Sequence, residues 1–351
     1  MSLPDLYISR PGVAFPEQRL DNEDILRLVK ASYRGSESDW PALESAILKV
    51  FGACKSQYRF LEPNHAARVA DYACAAARHC LEVNQTDLSE VDLVICGGIA
   101  RQYFEPATAM EVAAKLGLKR THAFDVTAAC VGHLEAIQTA AGYLAIHDHY
   151  RTALVCTSEL FGPHLSYDLQ SVKDLYRKSA GLTLGNGAAC VLLRKQPWLR
   201  GGVKLLRMET YTVPGHWHLC QAPVDGPFES SSIEMMRLGR LIPPWLSACL
   251  TKSGWTPRDV DHYVFHQPSE LMTRRIIEDI GGDGDHGVYS HSRYGNTASA
   301  SVGISFNQLL LEQEPKAGAK MVLASAAAGF SCVALLGEWT YAPEAATTLP
   351  A

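Results

Sequence analysis

The stretch "LSEVDLVICGG" (residues 88–98) returns in pattern as "TPRDVDHYVFHQ" (256–267). Each opens on a polar turn, runs through an apolar strand-like segment and leads into a helical pattern, and Val91 and Val260 stand 169 positions apart. An echo of this kind is the mark of duplicated halves, placed here at 1–195 and 196–351. Other apolar runs keep the same rhythm: "AFDV" (123–126), "TALVCTSEL" (152–160), "AACVLLRK" (188–195), "VKLLRMETY" (203–211) and "MVLASAAAGFSCVALLGEW" (321–339). Between them, apolar positions at helical spacing predict helices over 63–82, 107–116, 131–145, 233–252, 269–280 and 297–313. Nearly continuous apolar strands alternating with amphipathic helices indicate an α/β sheet covered on both faces. The echo also sets the helix start at Cys130 against Asn296, 166 positions on, so that equivalent helix starts from the two halves would meet at one centre.

Composition narrows the function classes. The chain has 351 residues, 47% of them hydrophobic, which is ample for a large core. A net charge of −5 with scattered Lys and Arg speaks against a nucleic-acid groove. No apolar run reaches the roughly 18 residues a membrane span needs, and "MSLPDLYISRPG" lacks the pattern of a signal peptide. The ten cysteines fall singly within apolar segments with no CxxC pair. That argues against zinc and against a disulfide framework, and for a reduced, cytoplasmic setting. The polar stretch around 29–50 reads as a loop plus a helix. "GGDGDHG" (281–287) lacks the spaced carboxylates of a cation loop and reads as a turn. "GNGAA" (185–189) reads as close strand–helix packing, and "GHWHLC" (215–220) as a loop without a third metal partner.

Three positions can carry chemistry. In "FDVTAACVGHLEA" (124–136), Cys130 stands where a helix begins, and the free N–H groups there would lower its pKa. From this segment alone, an attacking thiol and a buried structural cysteine are equally open. In "VFHQPSE" (264–270), His266 ends a strand at the sheet edge where α/β proteins place clefts, although a capping or core histidine fits the same site. In "RYGNTASASVG" (293–303), Asn296 follows a glycine turn and heads a helix, where a plain N-cap is the other reading.

"DVTAAC", "HQPS" and "YGNTASASV" resemble the Cys, His and Asn motifs of the β-ketoacyl-acyl-carrier-protein synthase III group of thiolase-superfamily condensing enzymes. The resemblance runs from "PGVAFPEQRLDNEDI" to "AAAGFSCVALLGEW". It implies a thiolase fold, five-layered αβαβα with two similar halves, and a homodimer. It further implies that Cys130 accepts an acyl group while His266 and Asn296 donate to the second substrate's thioester oxygen. The backbone N–H of Cys130, with one near Gly329–Phe330, would form the other oxyanion site. Fixed donors of that kind are usually the largest catalytic contribution. No cofactor is implied: the acyl groups arrive on coenzyme A or an acyl carrier protein, and no metal takes part.

Two departures refine this. "RQYFEPATA" (101–109) is closer to a side branch, the enzymes starting head-to-head hydrocarbon synthesis and the α-pyrone-forming ketosynthases. There the residue matching Glu105 reaches into the neighbouring subunit's acyl channel as a base, although a Glu before Pro106 also suits a helix N-terminus. A second acyl thioester without a carboxylate to lose must give up an α-proton, which demands such a base. The expected reaction is therefore non-decarboxylative Claisen condensation, giving a 3-ketoacyl, pyrone or resorcinol-type product. Decarboxylative elongation with a malonyl thioester, acyl transfer to an alcohol or amine, and a non-enzymatic partner role are the alternatives. The other departure is "LKVFGACKSQYRF" (48–60), which keeps Gly52 but lacks the Trp and Arg that hold the coenzyme A nucleotide in the group. A carrier protein would then need a basic rim, for which Arg274, Arg275, Lys204 and Arg207 are the candidates.

Overall fold

The structure, a computed structural model, describes residues 4–64 and 66–343. Strands β1 (Tyr7–Ile8), β2 (Gly12–Ala14) and β3 (Arg19–Asp21) lead to helices α1 (Asn22–Ser32) and α2 (Trp40–Cys54). β4 (Tyr58–Phe60), α3 (Val69–Val83), β5 (Leu93–Gly97), α4 (Thr108–Leu116), β6 (His122–Val126), α5 (Gly132–Ile146), β7 (Thr152–Glu159), the short α6 (Leu175–Lys178) and β8 (Gly187–Arg194) follow. The second half runs β9 (Gly202–Thr212), β10 (Cys220–Gln221), β11 (Glu229–Ser230), α7 (Ser232–Leu238) and α8 (Ile242–Lys252). It ends with β12 (His262–Phe265), α9 (Glu270–Asp279), α10 (His291–Tyr294), α11 (Ser301–Glu312), β13 (Lys320–Ala327) and β14 (Ser331–Thr340).

Ten strands form one sheet, nine along the path β12-β13-β14-β9-β1-β8-β7-β5-β6 and β2 paired beside it on β8. The alternation of side chains along these strands explains the layers, because successive residues point to opposite faces. On β5, β7 and β8, Leu93, Ile95, Ala153, Val155, Val191 and Leu193 face a core shared with Leu134, Ile137 and Leu144 of α5 and Phe306 of α11. Their neighbours Val94, Leu154 and Leu192 face α3 and α4. On the other arm, Val264, Leu323 and Leu335 enter the α5/α11 core, while Tyr263, Val322 and Leu336 pack on Leu246, Leu250 and Ile277 of α8 and α9. The result is five layers: α3/α4, one sheet arm, α5/α11, the other arm, α8/α9.

The two halves repeat element by element. Three-residue turns at Leu88–Glu90 and Pro257–Asp259 carry the same capping box and precede β5 and β12. Turns at Ala129–Val131 and Ala298–Ala300 open α5 and α11, and in both the first residue is forced to positive φ, 46° at Ala129 and 44° at Ala298. All these pairs keep the Val91–Val260 offset. The counterpart of Cys130 is therefore Ser299, which corrects the pairing with Asn296: the asparagine lies three residues earlier, in the turn ahead of the equivalent helix.

One more expectation is refined and one revised. The helix expected over 233–252 runs through as α7 and α8, tightened at Gly239–Leu241 just before Pro243 and Pro244, with the backbone right-handed helical across the join. Cys156 and Cys190 stand directly opposite on antiparallel β7 and β8, with Cα atoms 4.2 Å apart, and form a disulfide. The sequence argued against any, because spacing along the chain does not show cross-strand register.

Candidate active site

The sites expected from the sequence gather around the end of β13. The His266 N–H donates to the Ala324 carbonyl at 2.8 Å, extending the β12–β13 pairing by one residue. The next residue on β13, Ser325, donates its hydroxyl to the Cys130 carbonyl at 2.9 Å. Beyond it, the Ala328 N–H and the N–H of Cys130 itself face the Cys130 sulfur. Asn296 joins through its own turn, since Ala298 packs with Phe161 and Leu184 in an apolar cluster that Cys130 also lines. Cys130 and His266 thus both adjoin the end of β13, and the Asn296 turn adjoins the apolar cluster that Cys130 lines.

Each is held in a definite state. Cys130 keeps part of its surface accessible, yet burial pushes its thiol pKa well up, with the nearby Cys220 and Glu159 adding to the effect and the two backbone donors opposing it. This reverses the expectation of a lowered pKa: the apolar wall formed by Ile99, Phe161, Leu165, Leu184 and Phe228 outweighs the helix start. His266 is buried, and burial, followed by the charge of His291, pulls it down to about 3, so its imidazole is neutral. Its Nδ1 has no hydrogen-bond partner among the described residues. The Asn296 backbone bridges Thr183 and Gly185, donating to the Thr183 carbonyl at 2.7 Å and accepting from the Gly185 N–H at 3.0 Å. A side chain on Gly185 would meet the Tyr294 carbonyl at 2.3 Å, so "GNG" serves this close approach. Asn296 Oδ1 accepts from the Ala298 N–H at 3.0 Å. The carboxamide oxygen is spent on the cap, and its NH2 is left to donate elsewhere.

The remaining expected residues lie as follows. Gly329 (φ 76°) and Phe330 (φ 51°) form the turn from β13 to β14. The N–H facing the sulfur belongs to Ala328, one residue before this pair. Glu105 is exposed on the β5–α4 loop beside Phe104, which is 76% exposed, so within one chain it is not enclosed with the other three. Of the residues expected for a basic rim, Arg274 pairs with Asp285, Arg275 with Asp279, Lys204 with Asp5 and Arg207 with Glu209, all at the surface. Gly52 lines a cavity of about 550 Å³ together with Phe51, Lys55, Gln57, Glu270 and Ser292.

Sequence reasoning missed two contributors. "GHWHLC" is part of the site's wall: Trp217 approaches the Gly329 turn, and Cys220 influences the Cys130 thiol. Glu159, at the end of β7, is fully buried, and burial lifts its pKa to about 7. A lone acid closing the apolar run "TALVCTSEL" was the signal available for it.

Comparison with known proteins agrees with this arrangement. The family model of 3-oxoacyl-[acyl-carrier-protein] synthase III matches residues 124–213, and that of its C-terminal part matches 250–339. The β-ketoacyl-[acyl-carrier-protein] synthase III of Symbiobacterium thermophilum is 28% identical, over 97% of this chain and 99% of its own length. That of Rhodospirillum centenum is 26% identical, over 93% and 97%. Among solved structures, OleA of Xanthomonas campestris superposes with a TM-score of 0.84 at 21% identity, over 97% of this chain and 99% of the other. The 3-oxoacyl-[acyl-carrier-protein] synthase III of Aquifex aeolicus gives 0.81 at 21%, over 96% and 100%. With the two models spanning both the Cys130 turn and the His266–Asn296 segment, the chain belongs to the synthase III-like condensing enzymes of the thiolase superfamily, acyltransferases that form 3-ketoacyl products.

Proposed function

We propose that this ketosynthase joins two acyl thioesters by non-decarboxylative Claisen condensation. In the first step the neutral His266 takes the Cys130 proton as the sulfur attacks the first thioester carbonyl. The oxyanion is met by the Cys130 N–H and a second N–H from the 328–330 turn, the C–S bond to the carrier breaks, and the carrier thiol leaves with a proton. In the second step the His266 ring N–H and the Asn296 NH2 donate to the carbonyl oxygen of the second acyl thioester. Glu105 removes its α-proton, and the resulting carbanion attacks the acyl-Cys130 carbonyl. A carbon–carbon bond forms, the bond to sulfur breaks, and the departing Cys130 thiolate takes up one proton while Glu105 gives up the one it removed, which restores thiol and carboxylate. Coenzyme A or an acyl carrier protein delivers both chains.

The observation that carries the non-decarboxylative reading is the course of the β5–α4 loop. It begins at Ile99 in the wall around Cys130 and ends with Glu105 in the open. An exposed carboxylate beside an exposed Phe104 suits insertion into a second copy of the chain, so the working enzyme is proposed to be a homodimer with Glu105 supplied across it. Glu105→Ala is expected to acylate Cys130 at the wild-type rate and to lose condensation by roughly a hundredfold or more, the usual size of a general base. Intact mass spectrometry and product analysis check the two steps; full condensation by the variant refutes the assignment. The second reading, decarboxylative elongation, is favoured by the names of the curated relatives. Release of labelled carbon dioxide from a carboxyl-labelled malonyl thioester would select it.

A further inference from the structure

One buried acid remains once the nucleophile, the imidazole and the carboxamide have their roles. Glu159 is fully buried and has no ion-pair partner among the described residues. Its carboxylate is met by neutral donors alone: Oε1 accepts the Ile99 N–H at 3.0 Å and the Ser299 hydroxyl, and Oε2 accepts the Ala100 N–H at 3.0 Å. Ser299 is bonded in turn to the Thr157 hydroxyl. These donors come from two separate places. Ile99 and Ala100 root the loop that ends in Glu105, whereas Ser299 sits in the turn that starts at Asn296. Gly98 is pressed against the same group, for a Cβ there would lie 3.0 Å from Glu159 Oε1 and 3.1 Å from the Ser299 hydroxyl.

A buried acid without a counter-ion is costly compared with an apolar residue of similar size, so its worth lies in the geometry it fixes. We infer that Glu159 is a positioning residue whose carboxylate locks the root of the Glu105 loop to the Asn296–Ser299 turn, so that condensation depends on it and acyl loading does not. This rests on the role proposed for Glu105. An amide at the same place would set an NH2 against one of the two backbone N–H groups and break one anchor.

The test compares the full chain with Glu159→Gln, Ser299→Ala, their double variant and Glu105→Ala, using an acyl-CoA as substrate. Loading of Cys130 is read by intact mass spectrometry and condensation by product formed in a single turnover. Glu159→Gln is expected to load within about twofold of wild type and to condense roughly tenfold slower or worse, a step-specific loss that a general folding defect would not give. Ser299→Ala keeps the carboxylate and removes one donor, and should cost about threefold in condensation. The double variant should be no slower than Glu159→Gln alone, because both act through one network. Amide exchange at Ile99 and Ala100 should quicken in Glu159→Gln. Equal loss of both steps, or unchanged condensation in Glu159→Gln, overturns the inference. If that variant does not fold, Ser299→Ala decides: selective loss supports the lock, and unchanged condensation overturns it. Normal condensation by Glu105→Ala overturns the general-base reading and this inference with it, whereas a dead Glu105→Ala beside a normal Glu159→Gln overturns this inference alone.

Discussion

Cys130 lies between opposing influences: two backbone N–H groups and a helix start favour a thiolate, while an apolar wall and two neighbouring acidic groups disfavour it. The wall wins, and the resting nucleophile is a thiol. Iodoacetamide should therefore modify Cys130 slowly at neutral pH, with a rate that climbs about tenfold per pH unit between roughly 7 and 9 and shows no plateau. Peptide mapping separates it from Cys220; a plateau below pH 8.5 would contradict the desolvated chamber. The sequence marked Cys130, His266 and Asn296 because each sits at an element end, Cys130 and Asn296 among small neighbours and His266 at the close of a strand. It could not mark Glu159 in the same way, since the donors that define it come from Ile99, 60 residues away, and Ser299, 140 residues away. Nor could it show that Arg274, Arg275, Lys204 and Arg207 are all engaged by nearby acids.

At the scale of elements, β5 and α5 meet more closely than side chains allow. A Cβ on Gly97 would lie 2.2 Å from the Gly132 carbonyl, and one on Gly132 would lie 2.7 Å from the Gly98 nitrogen. Both are backbone contacts, so relief requires moving α5 and the Cys130 turn in front of it. Gly132→Ala should lose about 2–3 kcal/mol of stability, at the upper end for overpacking, and should lose acyl loading as well. A urea midpoint at wild-type level would refute this. The helical periods of α4, α5, α9 and α11 were legible because their buried stripes are unbroken. The pattern over 233–252 was legible too, and only its tightening at Gly239–Leu241 was not, because apolar spacing does not register a local change of helical pitch. The repeat was visible in Val91 and Val260, but its register at the centre was hidden: the matching feature is a positive φ at Ala129 and Ala298, which no residue type announces.

For the whole molecule, acid tolerance follows from its buried titratable groups. Burial holds His133 at about 4, His266 at about 3 and His291 at about 4, each below the ordinary 6.5. Between those values and 6.5 the unfolded chain binds protons that the folded chain refuses, so stability rises with pH. Glu159 runs the other way, since its raised pKa makes the folded state the better proton binder between 4.5 and about 7. With His262 also lowered and Glu135 also raised by burial, four histidines against two acids leave a net gain with rising pH from about 4 to 6.5, on the order of 1.4 kcal/mol per pH unit for each net proton. Urea midpoints over that range check the sign, and His133→Gln should flatten the slope. Five layers and two halves could be read from alternating apolar strands. The cross-strand disulfide could not, because Cys156 and Cys190 are 34 residues apart and become partners only once β7 and β8 are in register.

The two arms are stitched by very little. Tyr7 and Ile8 bond Arg194 and Leu193 on one side and Lys204 and Val203 on the other. This segment is synthesised before its outer berth, which is not made until residue 204 has been translated. Completion of the sheet must therefore wait for β9, and until then β1 lacks a neighbour on that flank.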